Sequence, residues 1–215
     1  MANSSSAHGA KLSSAKFVRR PRRRPRYLSK MAMYTAVGVA FVAVAGMLVL
    51  LSRGGAHDTS GATPLSGAAP DFTLPSVNGQ PVTLSSYKGQ RNVLLFFNEG
   101  YGCAPCWQQA QDIQKRSADL QAANTEFLDI MVDPTSLIKN EVSRWGLKMP
   151  VLSDTNRAVS RQYNTLGFGM HADKPNHTFV FIDKDGEIRW WQDYASMRAP
   201  TDEVVQKVQA LTAGQ

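Results

Sequence analysis

Residues 92–123 read NVLLFFNEGYGCAPCWQQAQDIQKRSADLQAA, and the fold turns on them. Asn92–Asn98 is an apolar run bounded by polar residues. It is too short for a helix and apolar on both faces, so it predicts a buried central strand. Ala104 to Ala123 predicts a helix. Between the two lies Cys103-Ala104-Pro105-Cys106, which holds the only two cysteines of the chain. Two cysteines cannot form a disulfide scaffold, and a pair this close is redox chemistry or half a metal site.

The strand-to-helix junction gives the spacing its meaning. Cys103 is placed at a helix N-terminus, where unpaired N–H groups and the helix dipole favour a thiolate. The thiolate is the attacking species in disulfide exchange. Pro105 suits the first turn, because its missing N–H would have no partner there. Cys106, three residues on, shares that side of the helix one turn deeper. It can resolve a mixed disulfide by attacking Cys103, so the pair can cycle between dithiol and disulfide. A static cross-link between these residues would close almost no loop and restrain little of the unfolded chain.

Working outward, Asp71–Leu74 and Pro81–Leu84 flank a turn at Val77-Asn78-Gly79-Gln80 and predict a hairpin. Phe127–Val132 predicts a second buried strand. Thr135–Trp145 and Asn156–Tyr163 predict helices separated by a short Pro150–Leu152 segment. Thr178–Asp183 and Glu187–Trp191 flank Lys184-Asp185-Gly186, a second hairpin. Trp190 and Trp191 should then face opposite ways, one into the core and one outward. Pro200–Leu211 closes the chain with a helix. Strands alternating with helices, ending in a hairpin and a helix, describe an α/β layer fold with helices on both faces.

The N-terminal side is of another kind. The formal net charge is +7, yet residues 1–30 hold nine Lys or Arg and no acid. From residue 31 onward 15 basic residues face 17 acidic ones, so the folded part is slightly acidic. This argues against a nucleic-acid partner, whose binding domain would carry its basic patch on its own surface. Residues 1–30 lack apolar periodicity and are expected to be a disordered basic tail. Met31–Leu51 contains no charge and is long enough to span a bilayer, so residues 31–52 are expected to form one transmembrane helix. Basic residues crowd its N-terminal side, which puts the N-terminus in the cytoplasm and the rest outside. Residues 53–69 predict a flexible Gly/Ser/Ala/Thr linker, and 70–215 the redox domain.

Four stretches carry a resemblance: Ala69-Pro70-Asp71-Phe72-Thr73-Leu74, Leu84-Ser85-Ser86-Tyr87-Lys88-Gly89, the CAPC motif, and Thr178-Phe179-Val180-Phe181-Ile182-Asp183-Lys184-Asp185-Gly186. Together, over 69–211, they resemble the redoxin branch of the thioredoxin superfamily. That branch includes the thiol-specific antioxidant proteins and the membrane-anchored TlpA/ResA-like thiol–disulfide oxidoreductases. The resemblance implies a thioredoxin-like three-layer fold around a central mixed sheet. It also implies protein thiols and disulfides as partners, an electron donor in or outside the membrane, and no cofactor beyond the dithiol. The chain departs from the family pattern at three places. Antioxidant members carry Pro and Thr or Ser where Phe96 and Gly100 stand, which disfavours peroxide reduction. Gly102 replaces the Trp that usually precedes the first cysteine. His177 fills the slot of a cis-Pro that faces the dithiol, with Pro175 two residues earlier.

His177 opens an alternative. An imidazole beside a dithiol can protonate a leaving thiolate, stabilise the Cys103 thiolate, or ligate a metal. Sco-type copper proteins resemble this arrangement, and two thiolates with one imidazole suit copper. Cys103, Cys106 and His177 are therefore also the candidate copper ligands, with His171 a second candidate histidine. Glu99, beside Asn98 at the end of the central strand, is the candidate relay for the proton of the resolving thiol.

Overall fold

The computed structural model describes Tyr34 and residues 63–167, 171–196 and 198–213. The expected basic tail, the apolar run at 31–52 apart from Tyr34, and most of the expected linker lie outside these residues. Among the described residues no helix is long and apolar enough to cross a membrane.

Among the described residues eight strands form in chain order: β1 (Gly67–Ala68), β2 (Thr73–Leu74), β3 (Val82–Thr83), β4 (Asn92–Phe97), β5 (Thr125–Met131), β6 (Val151–Ser153), β7 (His177–Ile182) and β8 (Glu187–Tyr194). Six build one mixed sheet in the order β1-β8-β7-β4-β5-β6, while β2 and β3 make a separate small hairpin. β4 is parallel to β5 and antiparallel to β7, so the apolar run at 92–97 is central, with every residue buried. Gly67 and Ala68, within the stretch expected as linker, add an edge strand to β8.

Strand side chains alternate between faces, and the core divides accordingly. Val93, Leu95 and Phe97 join Leu128, Ile130, Val180 and Ile182 on one face, under Phe72, Val159 and Tyr163. Leu94 and Phe96 join Phe127, Phe179 and Phe181 on the other, against Ile113, Leu120, Val204 and Val208. Trp107 and Ala110 extend that second side with Met131, Ile138 and Val142. The result is a thioredoxin-like α/β fold with a central mixed sheet.

The helices are α1 (Ala104–Lys115), α2 (Ser117–Ala122), α3 (Thr135–Trp145), α4 (Ala158–Gln162) and α5 (Thr201–Thr212). The single helix expected over 104–123 is broken at Arg116. There the amide donates back to Ile113 O (2.9 Å), and the guanidinium pairs with Asp119 (2.6 Å) and with Asp202 of α5. An ion pair to a residue so distant in sequence leaves no trace in local periodicity. Helix α4 begins later than expected because its leading residues are occupied as a cap. The Asp154 carboxylate accepts from the Ser160 amide (2.7 Å) and hydroxyl (2.7 Å), Asn156 Oδ1 accepts from Ala158 N (2.9 Å), and Arg157 is left-handed at φ 60°. Trp190 and Trp191 do face opposite ways, yet both are packed. Trp191 donates its indole N–H to Tyr163 O (2.8 Å), and Trp190 stacks on Phe179.

Candidate active site

β4 delivers the chain to the site through Asn98, Glu99 and a turn at Gly100–Gly102. Cys103 is the N-cap of α1, and its Sγ accepts a hydrogen bond from the amide of Cys106 (3.2 Å). A cap group normally relieves one of the unpaired amides of a first turn; here the group is the sulfur itself. Cys103 and Cys106 form a disulfide, with Cα atoms 5.3 Å apart. Cys103 is 5 % exposed and Cys106 1 %, so the order of access expected from the sequence holds, but the opening is narrow.

His177 begins β7 on the face that α1 covers, its ring 5.5 Å from that of Phe96. It is fully buried, and neither ring nitrogen has a hydrogen-bond partner. Burial pushes its pKa down to about 4, so the imidazole is neutral at physiological pH. One donor atom each from Cys103, Cys106 and His177 lie within 4.8 Å of one another. No peptide bond is cis among the described residues, including the one that precedes His177. Its flanking residues are held from β8 instead: Asp193 accepts from the Asn176 amide group (2.8 Å) and from Thr178 Oγ1 (2.6 Å). Asp193 is itself buried, and burial raises its pKa.

Glu99 is buried but sits apart from this three-donor cluster. One carboxylate oxygen lies 3.5 Å from Nδ1 of the half-exposed His171, and the other has no partner. The two sequence candidates Glu99 and His171 therefore meet each other, while His177 meets the sulfurs.

Residues that sequence reasoning passed over hold the loop in place. Asn98 donates to Asp129 of β5 and accepts from the amide of Gly100 (2.8 Å), whose carbonyl accepts from Cys103 N (3.0 Å). Asp133 accepts from the Tyr101 amide (2.8 Å). Lys174 donates to the carbonyls of Glu99 (2.9 Å) and Tyr101 (3.1 Å). One signal for Asp129 was present: an acid inside the apolar run Phe127–Val132 has no solvent-facing reason to be there.

Asp129 is fully buried, one of its oxygens has no partner, and burial raises its pKa to about 8 despite the Asn98 hydrogen bond. A carboxyl raised on folding favours the native state below its unfolded value and loses that contribution as pH rises toward 8. His177 has the opposite sign. Its depressed pKa favours the native state above its unfolded value of 6.5, and that contribution is lost as pH falls toward 4. From these two groups stability should be level between about pH 4 and 6.5 and should fall between about 6.5 and 8. Thermal melts of the wild type should show that fall, and Asp129→Asn should remove it.

A family profile described as AhpC/TSA matches residues 65–191, more than half of the chain. The chain belongs to the AhpC/TSA family. Among similar proteins of this family, Peroxiredoxin 2 of Thermoplasma acidophilum is 32 % identical over 153 residues, covering 66 % of this chain and 73 % of that protein. Thiol-disulfide oxidoreductase ResA of Geobacillus kaustophilus is 26 % identical over 161 residues, covering 74 % and 85 %. The solved structure of the peroxidoxin BcpB from Mycobacterium tuberculosis superposes with a TM-score of 0.61 at 22 % identity, over 69 % of this chain and 99 % of that one. It confirms the fold. The similar proteins include both a peroxiredoxin and a thiol-disulfide oxidoreductase, and this AhpC/TSA member is a thiol-based redox enzyme.

Proposed function

We propose that this chain is a membrane-anchored, extracytoplasmic thiol–disulfide oxidoreductase that exchanges disulfides with protein substrates through Cys103 and Cys106. The observation that carries this reading is the capped pair: Cys103 Sγ receives the Cys106 amide at the start of α1, and Cys106 lies behind it, almost sealed. The amide and the helix dipole stabilise a Cys103 thiolate. That thiolate attacks one sulfur of a substrate disulfide, forms a mixed disulfide and expels the other substrate sulfur as thiolate. Cys106 then gives up its proton and attacks Cys103 Sγ. The second substrate sulfur leaves as thiolate and is protonated, the substrate is reduced by two electrons, and the chain holds the Cys103–Cys106 disulfide. A neutral His177 can accept a hydrogen bond from a protonated thiol in this pocket and can protect it from solvent exchange. A dithiol donor in or outside the membrane restores the reduced pair. The uncharged run Met31–Leu51, with its basic N-terminal flank, supports the anchor and the orientation.

Several relatives are named as peroxiredoxins, so peroxide is the competing oxidant. The wall beside the cysteines does not favour it: Phe96 is a buried ring stacked on Phe179, and Gly100 offers no hydroxyl. The deciding experiment mixes the reduced full chain with a disulfide-bonded protein or with hydrogen peroxide. Faster oxidation of the chain by the protein disulfide, with both thiols consumed, is the expected result. Faster oxidation by peroxide would transfer the chain to the peroxidases.

One further reading has an observation of its own. The three-donor cluster of Cys103, Cys106 and His177 combines two soft sulfurs with an unpartnered neutral imidazole. That set favours Cu(I), so a copper-delivery role stands as the second reading. The reduced full chain should then bind one Cu(I) in competition with a chelator, and the oxidised chain none. His177→Ala should weaken binding by about a hundredfold, the scale for losing one ligand contact worth roughly 3 kcal/mol. Equal affinity in the variant would remove copper delivery.

A further inference from the structure

We infer that Tyr101 is a substrate-docking residue: an exposed ring, fixed beside Cys103, that receives the apolar residues flanking a disulfide in an extended peptide segment. The inference rests on the exchange reaction proposed above and names the class of substrate it serves.

Tyr101 lies two residues before the nucleophile, and about half of its surface is in water (51 %). Single exposed aromatic residues are common on protein surfaces, but Tyr is also among the side chains that carry most of the energy of binding interfaces. What distinguishes this one is how its backbone is treated. The Tyr101 amide donates to Asp133 Oδ2 (2.8 Å), and its carbonyl accepts from Lys174 Nζ (3.1 Å). Lys174 also holds the Glu99 carbonyl (2.9 Å) and lies 3.7 Å from Asp133 Oδ1. Two opposite charges with mostly buried side chains thus grip one residue from both sides. The residues flanking it, Gly100 and Gly102, adopt φ of 74° and 91°, a conformation that other side chains resist. The backbone is fixed while the ring remains free to be covered. A contact ordered before binding loses little conformational entropy when the partner arrives.

The surroundings select the partner. Gly102, Ala104 and Pro105 are exposed and uncharged. The charges nearest to Tyr101 by hydrogen bond, Asp133 and Lys174, are occupied with its backbone. Among the described residues, neither of these two charges is left free to pair with a small charged disulfide. A disulfide embedded in a compact surface is poorly suited to reach a sulfur that is 5 % exposed. An extended segment with apolar residues beside its cysteines can lay them on the ring and lower its sulfur onto Cys103. Unfolded or not yet folded chains present such segments.

The test compares two synthetic peptides with the same internal disulfide, one flanked by Phe and Leu and the other by Ser and Asn. Each is mixed with the reduced full chain, and the rate of oxidation of the chain is followed. The wild type should prefer the apolar peptide by about tenfold, the scale of one buried aromatic contact. Tyr101→Ser should bring the two rates to parity, and Tyr101→Phe should keep the preference. A preference that survives Tyr101→Ser, or none in the wild type, overturns the docking role while leaving exchange intact. Failure of the wild type to react with either peptide would overturn the exchange reading, and the docking role with it.

Discussion

Cys103→Ser will abolish disulfide exchange, lowering its rate by on the order of a thousandfold or more, as removal of a covalent nucleophile does elsewhere. A serine hydroxyl at the helix cap can still accept the Cys106 amide, so the fold should survive. What disappears is the sulfur that must bond to the substrate. The remaining thiol does not substitute for it, because Cys106 is 1 % exposed and lies behind position 103. Cys106→Ser should behave quite differently. Cys103 can still attack, but nothing resolves the product, so a covalent complex with the substrate protein should accumulate and be released by added dithiol. Non-reducing electrophoresis after mixing with a disulfide-bonded protein distinguishes the two. Equal turnover by wild type and Cys103→Ser would end the mechanism, and complexes formed by Cys103→Ser instead would exchange the roles of the cysteines.

Gly100→Ala should be the most damaging small substitution in the loop. A Cβ built there falls 2.1 Å from Asp133 Oδ2 and 3.0 Å from Met131 Cβ, at a backbone φ of 74°. Met131 is in the packed core of β5, so only Asp133 can move, and moving it breaks the hydrogen bond to Tyr101 N. Left-handed strain and a lost hydrogen bond near a charge together suggest about 2–4 kcal/mol of destabilisation. For a domain of this size that is a fall of roughly 5–15 °C in melting temperature. Gly79→Ala supplies the control. Its φ is 89°, but a Cβ there meets nothing within 4 Å, so only the strain remains. Similar melting temperatures for the two variants would show that the loop yields more easily than its contacts imply. The reduction potential of Cys103–Cys106 should also shift in Gly100→Ala and not in Gly79→Ala, since the Gly100 carbonyl holds Cys103 N.

The parts of the fold legible in the sequence were those governed by local rules. The uniform apolarity of 92–97 marked the central strand. Lys184-Asp185-Gly186 marked the hairpin, with Gly186 at φ 84°. Pro105 in the first turn marked where α1 begins. The features that differed depend on partners distant in the chain. At the break Arg116 pairs with the distant Asp202, and the shortened α4 follows the cap built by Asp154. The site shows the same division. Cys103 and Cys106 could be placed by spacing alone. His177 could be placed through the family resemblance, in which it fills the slot of a cis-Pro facing the dithiol, but its complete burial and its unpartnered ring nitrogens could not. Glu99 was singled out for its proximity in sequence to the cysteines. In the folded chain it turns to His171, while the acid tied to the redox loop through Asn98 is Asp129, from the neighbouring strand.

The topology also imposes a timetable on the site. Cys103 and Cys106 are brought together by a single helical turn, among the fastest events in folding. His177 joins them only when β7 pairs with β4, a contact that closes a loop containing β5, β6 and the four helices α1 to α4. Pairing between segments so remote in the chain is slow. During synthesis, which proceeds from the N-terminus, the two sulfurs emerge well before the imidazole that will lie beside them. For that interval the nascent chain carries an open dithiol, able to close on itself or to be captured by another protein before its pocket exists.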